Sequence, residues 1–257
     1  MAKRVPRRQA QRILSAREAM QDRLAVGMAR EVTAHQRMQA ARAARLQGRK
    51  AFTDPLGLVP DSDVQLLNRV LRRYEGAQWE FTSGTVAPLV GVDPSDVISP
   101  KAQRAMLSRA KGITDATRTR IVSLVKRGVA QQRTDAQIGQ LIGEAIGNPA
   151  RGKMIARTEM ALIDQASATD RYRAGGVKTV EVFDGAGCGW STHDDGDKAN
   201  GSIRTLRQAE AMPLAHPNCR RAFMPVTDVA VPDTSEELAA WQRAQQAQWR
   251  RREGLIA

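Results

Sequence analysis

Both cysteines of this 257-residue chain and two of its three histidines fall between positions 188 and 219. Cys188 is followed by His193, and His216 by Cys219, so the ligand-type residues form two close pairs in the pattern C-x4-H-x22-H-x2-C. Tetrahedral zinc takes four soft or borderline ligands, and two short-spaced pairs brought together by a fold are one way to supply them. A Cys2His2 set would be coordinatively closed, so the ion would staple the fold and not catalyse. Two other readings of the same residues stay open: buried cysteines beside turn histidines, and a disulfide. The spacing is not that of a standard zinc finger.

The polar loop beside the first pair, HDDGDKANG, also offers Asp194, Asp195 and Asp197. It is a poor calcium loop, because counting from Asp195 puts Ala199 and Asn200 where an oxygen ligand and a glycine belong. An enzymatic reading would give His193 and Asp194 a metal-activated water for phosphodiester cleavage. If zinc takes both histidines of the cluster, no further histidine there is left to act as base. No catalytic constellation is expected.

The elements that would carry these residues form a small α+β unit at 177–226. VKTVEVFDG and RRAFMPV have strand composition, and TLRQAEAM reads as a short helix capped by Thr205. A unit this small is of the kind that often needs a staple. Before it come helices: a long one over 8–47, one from Ser62 to Gly76, one opening at Ser99-Pro100 and ending at Gly112, and one at TRTRIVSLVKRGVAQQ. A further helix opens on a Thr134–Gln137 capping box, and the next ends at Gly175-Gly176 with Ile155, Leu162 and Ala166 on one stripe. Residues 78–96 read as loop or irregular. After the unit, 227–257 reads as a linker and a C-terminal helix that starts at Ser235. The fold class expected is α+β and mostly α-helical, with a zinc staple in the C-terminal module. The divisions expected are a basic helical arm at 1–52, a helical region at 53–114, a domain at 115–226 and the tail.

The net charge is +13, and residues 1–50 hold thirteen Lys or Arg against Glu18, Asp22 and Glu31. Such an arm suits a polyanion, since each neutralised phosphate releases counterions; a solvated helical face is the plainer reading. Met20, Leu24, Met28 and Val32 form a narrow apolar stripe that needs a partner surface. The face lacks the bulky aromatics of a membrane-surface helix, and no apolar run is long enough to span a bilayer. No secretory signal and no membrane partner are expected. Arg157 and Glu159, two apart on a helix, point to different faces and so to separate partners, with the α+β unit one destination for Arg157; an exposed pair is the alternative.

The order of features, IARTEM at 155–160, a strand, CGWSTHDD, a polar loop with KANG, then HPNCRRAFMPV, resembles the Mu F-like family of phage minor head proteins, also called head morphogenesis proteins, particularly the forms of actinobacterial phages. The likeness covers roughly 115–226. It implies a structural minor capsid protein that associates with the portal, with major capsid or scaffolding protein as further partners, and that lies inside the virion near packaged DNA after assembly in the host cytoplasm. DNA would then be met by the basic arm. The motif positions carried over are Ala156, Arg157, Thr158 and Glu159 in the helix, Trp190 and Asp194 after the strand, and His216, Pro217, Cys219 and Arg220 at the end. The family commonly ends that motif C-R-C, whereas Arg221 stands here in place of the second cysteine; the ligand role then shifts to Cys188. The competing class is a zinc-containing DNA-binding protein or a metal-dependent nuclease, which would bind DNA tightly and in a salt-sensitive way.

Overall fold

The computed structural model describes residues 5–45, 59–184 and 201–226, with positions 240, 244 and 251 besides. The C-terminal helix expected from Ser235 falls almost wholly outside them, as do residues 185–200. Among the described residues the chain is mostly helical with one small antiparallel sheet, the α+β class expected. In order the elements are α1 (Arg7–Arg45), α2 (Ser62–Val86), a 3-10 turn (Ala87–Leu89), α3 (Pro100–Ala130), α4 (Asp135–Ile146), α5 (Pro149–Ala174), β1 (Thr179–Phe183), β2 (Ile203–Thr205), α6 (Leu206–Ala211) and β3 (Ala222–Val226).

Local signals set several helix ends. Ser99 caps α3 by accepting from the Ala102 amide, with Pro100 in the first turn. Thr134 and Gln137 close a reciprocal capping box on α4, and Thr205 and Gln208 do the same for α6. α5 ends in a Schellman motif: the Val177 amide donates to the Tyr172 carbonyl and the Gly176 amide to that of Arg173. Gly176 sits there at φ 71, a left-handed conformation that costs glycine little.

Two helices run further than the sequence suggests. α2 continues through Gly76 to Val86, where a loop was expected, because Gln78, Trp79, Thr82 and Ser83 are all buried on it. α3 is one helix and not two. Its buried residues Met106, Ala110, Thr114, Thr117, Ile121 and Leu124 follow one helical stripe, while Gly112 lies on the exposed side. Thr114 and Thr117 stay in the stripe by donating their hydroxyls to the Ala110 and Ile113 carbonyls at 2.9 Å.

The described residues divide into two compact units: 1–21, 77–98 and 161–257 form one, and 22–76 with 99–160 form the other. α1, α2 and α5 each supply a part to both, so the linear divisions read from the sequence run across the units. In the first unit the sheet has the order β2-β1-β3, with Val180 opposite Arg204 and Val182 opposite Phe223. Its core joins Val180, Val182 and Phe223 of the sheet to Ala168 and Tyr172 of α5 and Leu206 of α6. The second unit is helical, with a core of Ala40 and Ala43 of α1, Ile121, Leu124 and Val125 of α3, and Ile138, Ile142 and Ile146 of α4. Of the stripe expected on α1, Met28 and Val32 are fully buried and Met20 and Leu24 partly so, packed within the chain itself.

Candidate functional site

The motif helix is α5, and its charged pair is resolved into two different environments. Glu159 is 4% exposed. It accepts from Nε of Arg109 on α3 at 2.5 Å, and Nη2 of the same guanidinium donates to Glu75 of α2 at 3.2 Å. One cation therefore faces two carboxyl groups in the interior of the helical unit. Burial, reinforced by repulsion from Glu159 and opposed by Arg109, pushes the Glu75 carboxyl up to about 8, so Glu75 holds a proton at neutral pH. For Arg109, burial works against the charge, and Glu159 with Glu75 more than offsets it, raising its pKa.

Arg157, two residues earlier, is partly exposed and lies 3.8 Å from Asp22 on α1. The two residues do have separate partners. The partner of Arg157 is a helix of its own unit, where the sequence reading allowed the α+β module. Thr158 donates its hydroxyl to the Met154 carbonyl one turn back, at 2.8 Å.

In the other unit the end of the motif forms a tight turn: the Cys219 amide donates to the His216 carbonyl at 3.1 Å, with Asn218 at φ 66. Pro217 is exposed and Cys219 is 1% exposed. Nδ1 of His216 lies 2.7 Å from the Pro217 carbonyl, which can only accept, so Nδ1 is the donor there. A histidine and a cysteine three residues apart across a turn are residue types that suit one half of a tetrahedral zinc set. The other half, Cys188 and His193, lies outside the described residues, as do Trp190 and Asp194. Among the described residues no three His, Cys, Asp or Glu side chains gather as a metal site.

Beyond the turn, Arg220 pairs with Glu18 on α1. Arg221 is buried against Asp184 at the end of β1, Nε to Oδ1 at 2.8 Å. An ion pair thus ties the start of β3 to the end of β1.

The densest polar site was not foreseen. Asp164 of α5 is fully buried and accepts from Arg17 Nε at 2.9 Å, Arg17 Nη2 at 2.6 Å, the Thr82 hydroxyl at 2.6 Å and the Gln78 amide at 3.1 Å. Tyr172 donates to the Phe223 carbonyl at 3.0 Å, and its burial with Asp164 nearby pushes the phenol up to about 12. Burial opposes the Arg17 charge, but Asp164 and Tyr172 more than offset it and its pKa is raised. Arg17, Gln78, Asp164 and Phe223 come from α1, α2, α5 and β3, so the cluster joins all four. One signal was available: Arg17 lies on the same helical stripe as Met20, Leu24 and Met28, where an arginine has no place unless it is paired. In both clusters a buried guanidinium is held by carboxyl groups of its own unit, while Glu75 Oε2, Gln78 Oε1 and Gln165 Oε1 are buried without a hydrogen-bond partner.

No protein family, characterised protein or solved structure matches this chain. Among the described residues no helix is long and apolar enough to cross a membrane.

Proposed function

We propose that this chain is a structural minor capsid protein of phage head morphogenesis, of the Mu F-like kind, which associates with the portal and lies inside the virion near the packaged DNA. The observation that carries the reading is how the motif residues are used. Glu159 is buried on a guanidinium from α3, and Arg220 is paired with α1, each engaging an element far away in sequence. These are fastenings of a scaffold. Zinc belongs to the same proposal as a structural ion: His216 and Cys219 would give one pair of ligands, with Cys188 and His193 completing the set, and bound zinc would cross-link the module without chemistry of its own. Quantitative mass spectrometry of particles of the phage that encodes the chain, counted against portal and major capsid protein, tests the role. Presence in a small fixed number of copies supports it; absence from both virions and precursor heads overturns it.

A further inference from the structure

The helical unit carries an open groove of about 650 Å³ between α1 and the first half of α5. Arg30 and Arg37 stand on its α1 side and Lys153 and Arg157 on its α5 side, against the single acidic residue Asp22. The cations are arranged as rows. On α1, Arg23 precedes Arg30 and Arg37 at seven-residue steps, and all three are exposed. Seven residues return to nearly the same face of a helix about 10 Å further along, so the three guanidinium groups mark a line of about 21 Å. Lys153 and Arg157 lie one turn apart and form the facing row. A point anion would need one cluster; parallel rows fit a linear polyanion.

The groove floor selects among polyanions. It is made of Ala25, Val26, Ala29 and Pro149. Alanine and proline side chains offer less apolar area than the aromatic and large aliphatic anchors by which an acidic partner helix would dock. No aromatic ring lines the groove, so it lacks the stacking platform that single-stranded nucleic acid uses. What remains is a smooth floor flanked by cations, suited to a duplex backbone whose phosphates are contacted and whose bases are not read.

We infer that the α1–α5 groove binds the sugar–phosphate backbone of double-stranded DNA, without sequence preference, through Arg30, Arg37, Lys153 and Arg157. This site goes beyond the portal-associated role and does not depend on it, and it narrows the DNA contact expected of the 1–52 arm to the Arg30–Arg37 stretch of α1 and adds Lys153 and Arg157 of α5. The experiment is a fluorescence-anisotropy titration of the full chain with a labelled random-sequence duplex over a range of salt, for the wild type and for Arg30→Gln/Lys153→Gln. Both positions are exposed, and a thermal melt confirms that the variant is folded. Loss of two phosphate contacts reduces the slope of log affinity on log salt by about 2 and weakens binding roughly tenfold or more at about 0.1 M salt. Arg30→Lys/Lys153→Arg should keep the wild-type slope, and Arg69→Gln/Arg72→Gln, two exposed arginines on α2 away from the groove, should also leave it unchanged. Equal loss in the Arg69/Arg72 variant, tighter binding of a single strand than of the duplex, or no duplex binding at about 0.1 M salt would each overturn the assignment. Because the groove variants are tested on DNA alone, their failure leaves the count of copies in particles untouched.

Discussion

Two buried carboxyl groups, Asp164 and Glu75, differ in the neighbours that hold them. Asp164 has five donors around it, from Arg17, Thr82, Gln78 and Gln165, so removing it strands a guanidinium in the interior. Asp164→Ala should therefore cost about 3–5 kcal/mol in urea denaturation, the range for breaking a buried pair from one side. A loss under about 1 kcal/mol would mean that Arg17 finds water. Glu75 shares its one cation with Glu159. Its carboxyl has a pKa of about 8 in the folded chain against 4.5 ordinarily, so between those values the native state holds a proton that the unfolded chain has released. The native state binds more protons there, and stability falls as pH rises. Its contribution is complete below about 4.5 and is lost progressively toward about 8, with a slope of at most about 1.4 kcal/mol per pH unit. Glu75→Gln, which keeps the shape and cannot ionise, should flatten denaturation midpoints measured from about pH 5 to 8. Parallel profiles for wild type and variant would place the titration elsewhere.

At the scale of elements, glycines that look alike in the sequence have unlike jobs. Gly152 of α5 packs on α1: a Cβ there would overlap the Thr33 hydroxyl and lie 3.1 Å from the Ala29 carbonyl. Gly152→Ala should destabilise by about 1–3 kcal/mol through overpacking. Gly112 of α3 has nothing within 4 Å of such an atom, and Gly112→Ala should stabilise by up to about 1 kcal/mol. Thermal melts of the two variants should move in opposite directions; a shift of the same sign in both would refute the packing described. The same contrast explains what the sequence discloses. Ser99-Pro100, Thr134–Gln137, Thr205 and Gly175-Gly176 were legible because a cap is satisfied by residues a few positions away. Gly112 and the stretch after Gly76 misled because helix continuation there depends on burying Thr114, Thr117, Trp79 and Thr82, which local composition does not report. The short strand β2 was missed for a similar cause: three residues carry no period, and pairing with β1 defines them.

For the whole molecule, the mostly helical α+β class was readable from hydrophobic period and turn chemistry. The candidate sites were less so. His216 and Cys219 are linked by a backbone hydrogen bond across one turn, and Arg157 and Glu159 have separate partners. The pairs Arg17–Asp164 and Arg109–Glu159 join residues far apart in sequence, and only the fold brings them together. The exposed cations along α1 likewise become a groove only when α5 supplies the second wall. Ion pairs that lock separate helices, with charge left on the outside, suit a component that assembles with others and tolerates DNA beside it. For the proposed role in a phage head, the most direct measurement is the number of these chains in purified particles of the source phage that the proposal implies, by quantitative mass spectrometry against portal and major capsid protein. The account predicts a fixed count far below that of the major capsid protein and comparable to that of the portal, already present in precursor heads. A chain found in the infected cell but in neither virions nor precursor heads would contradict it.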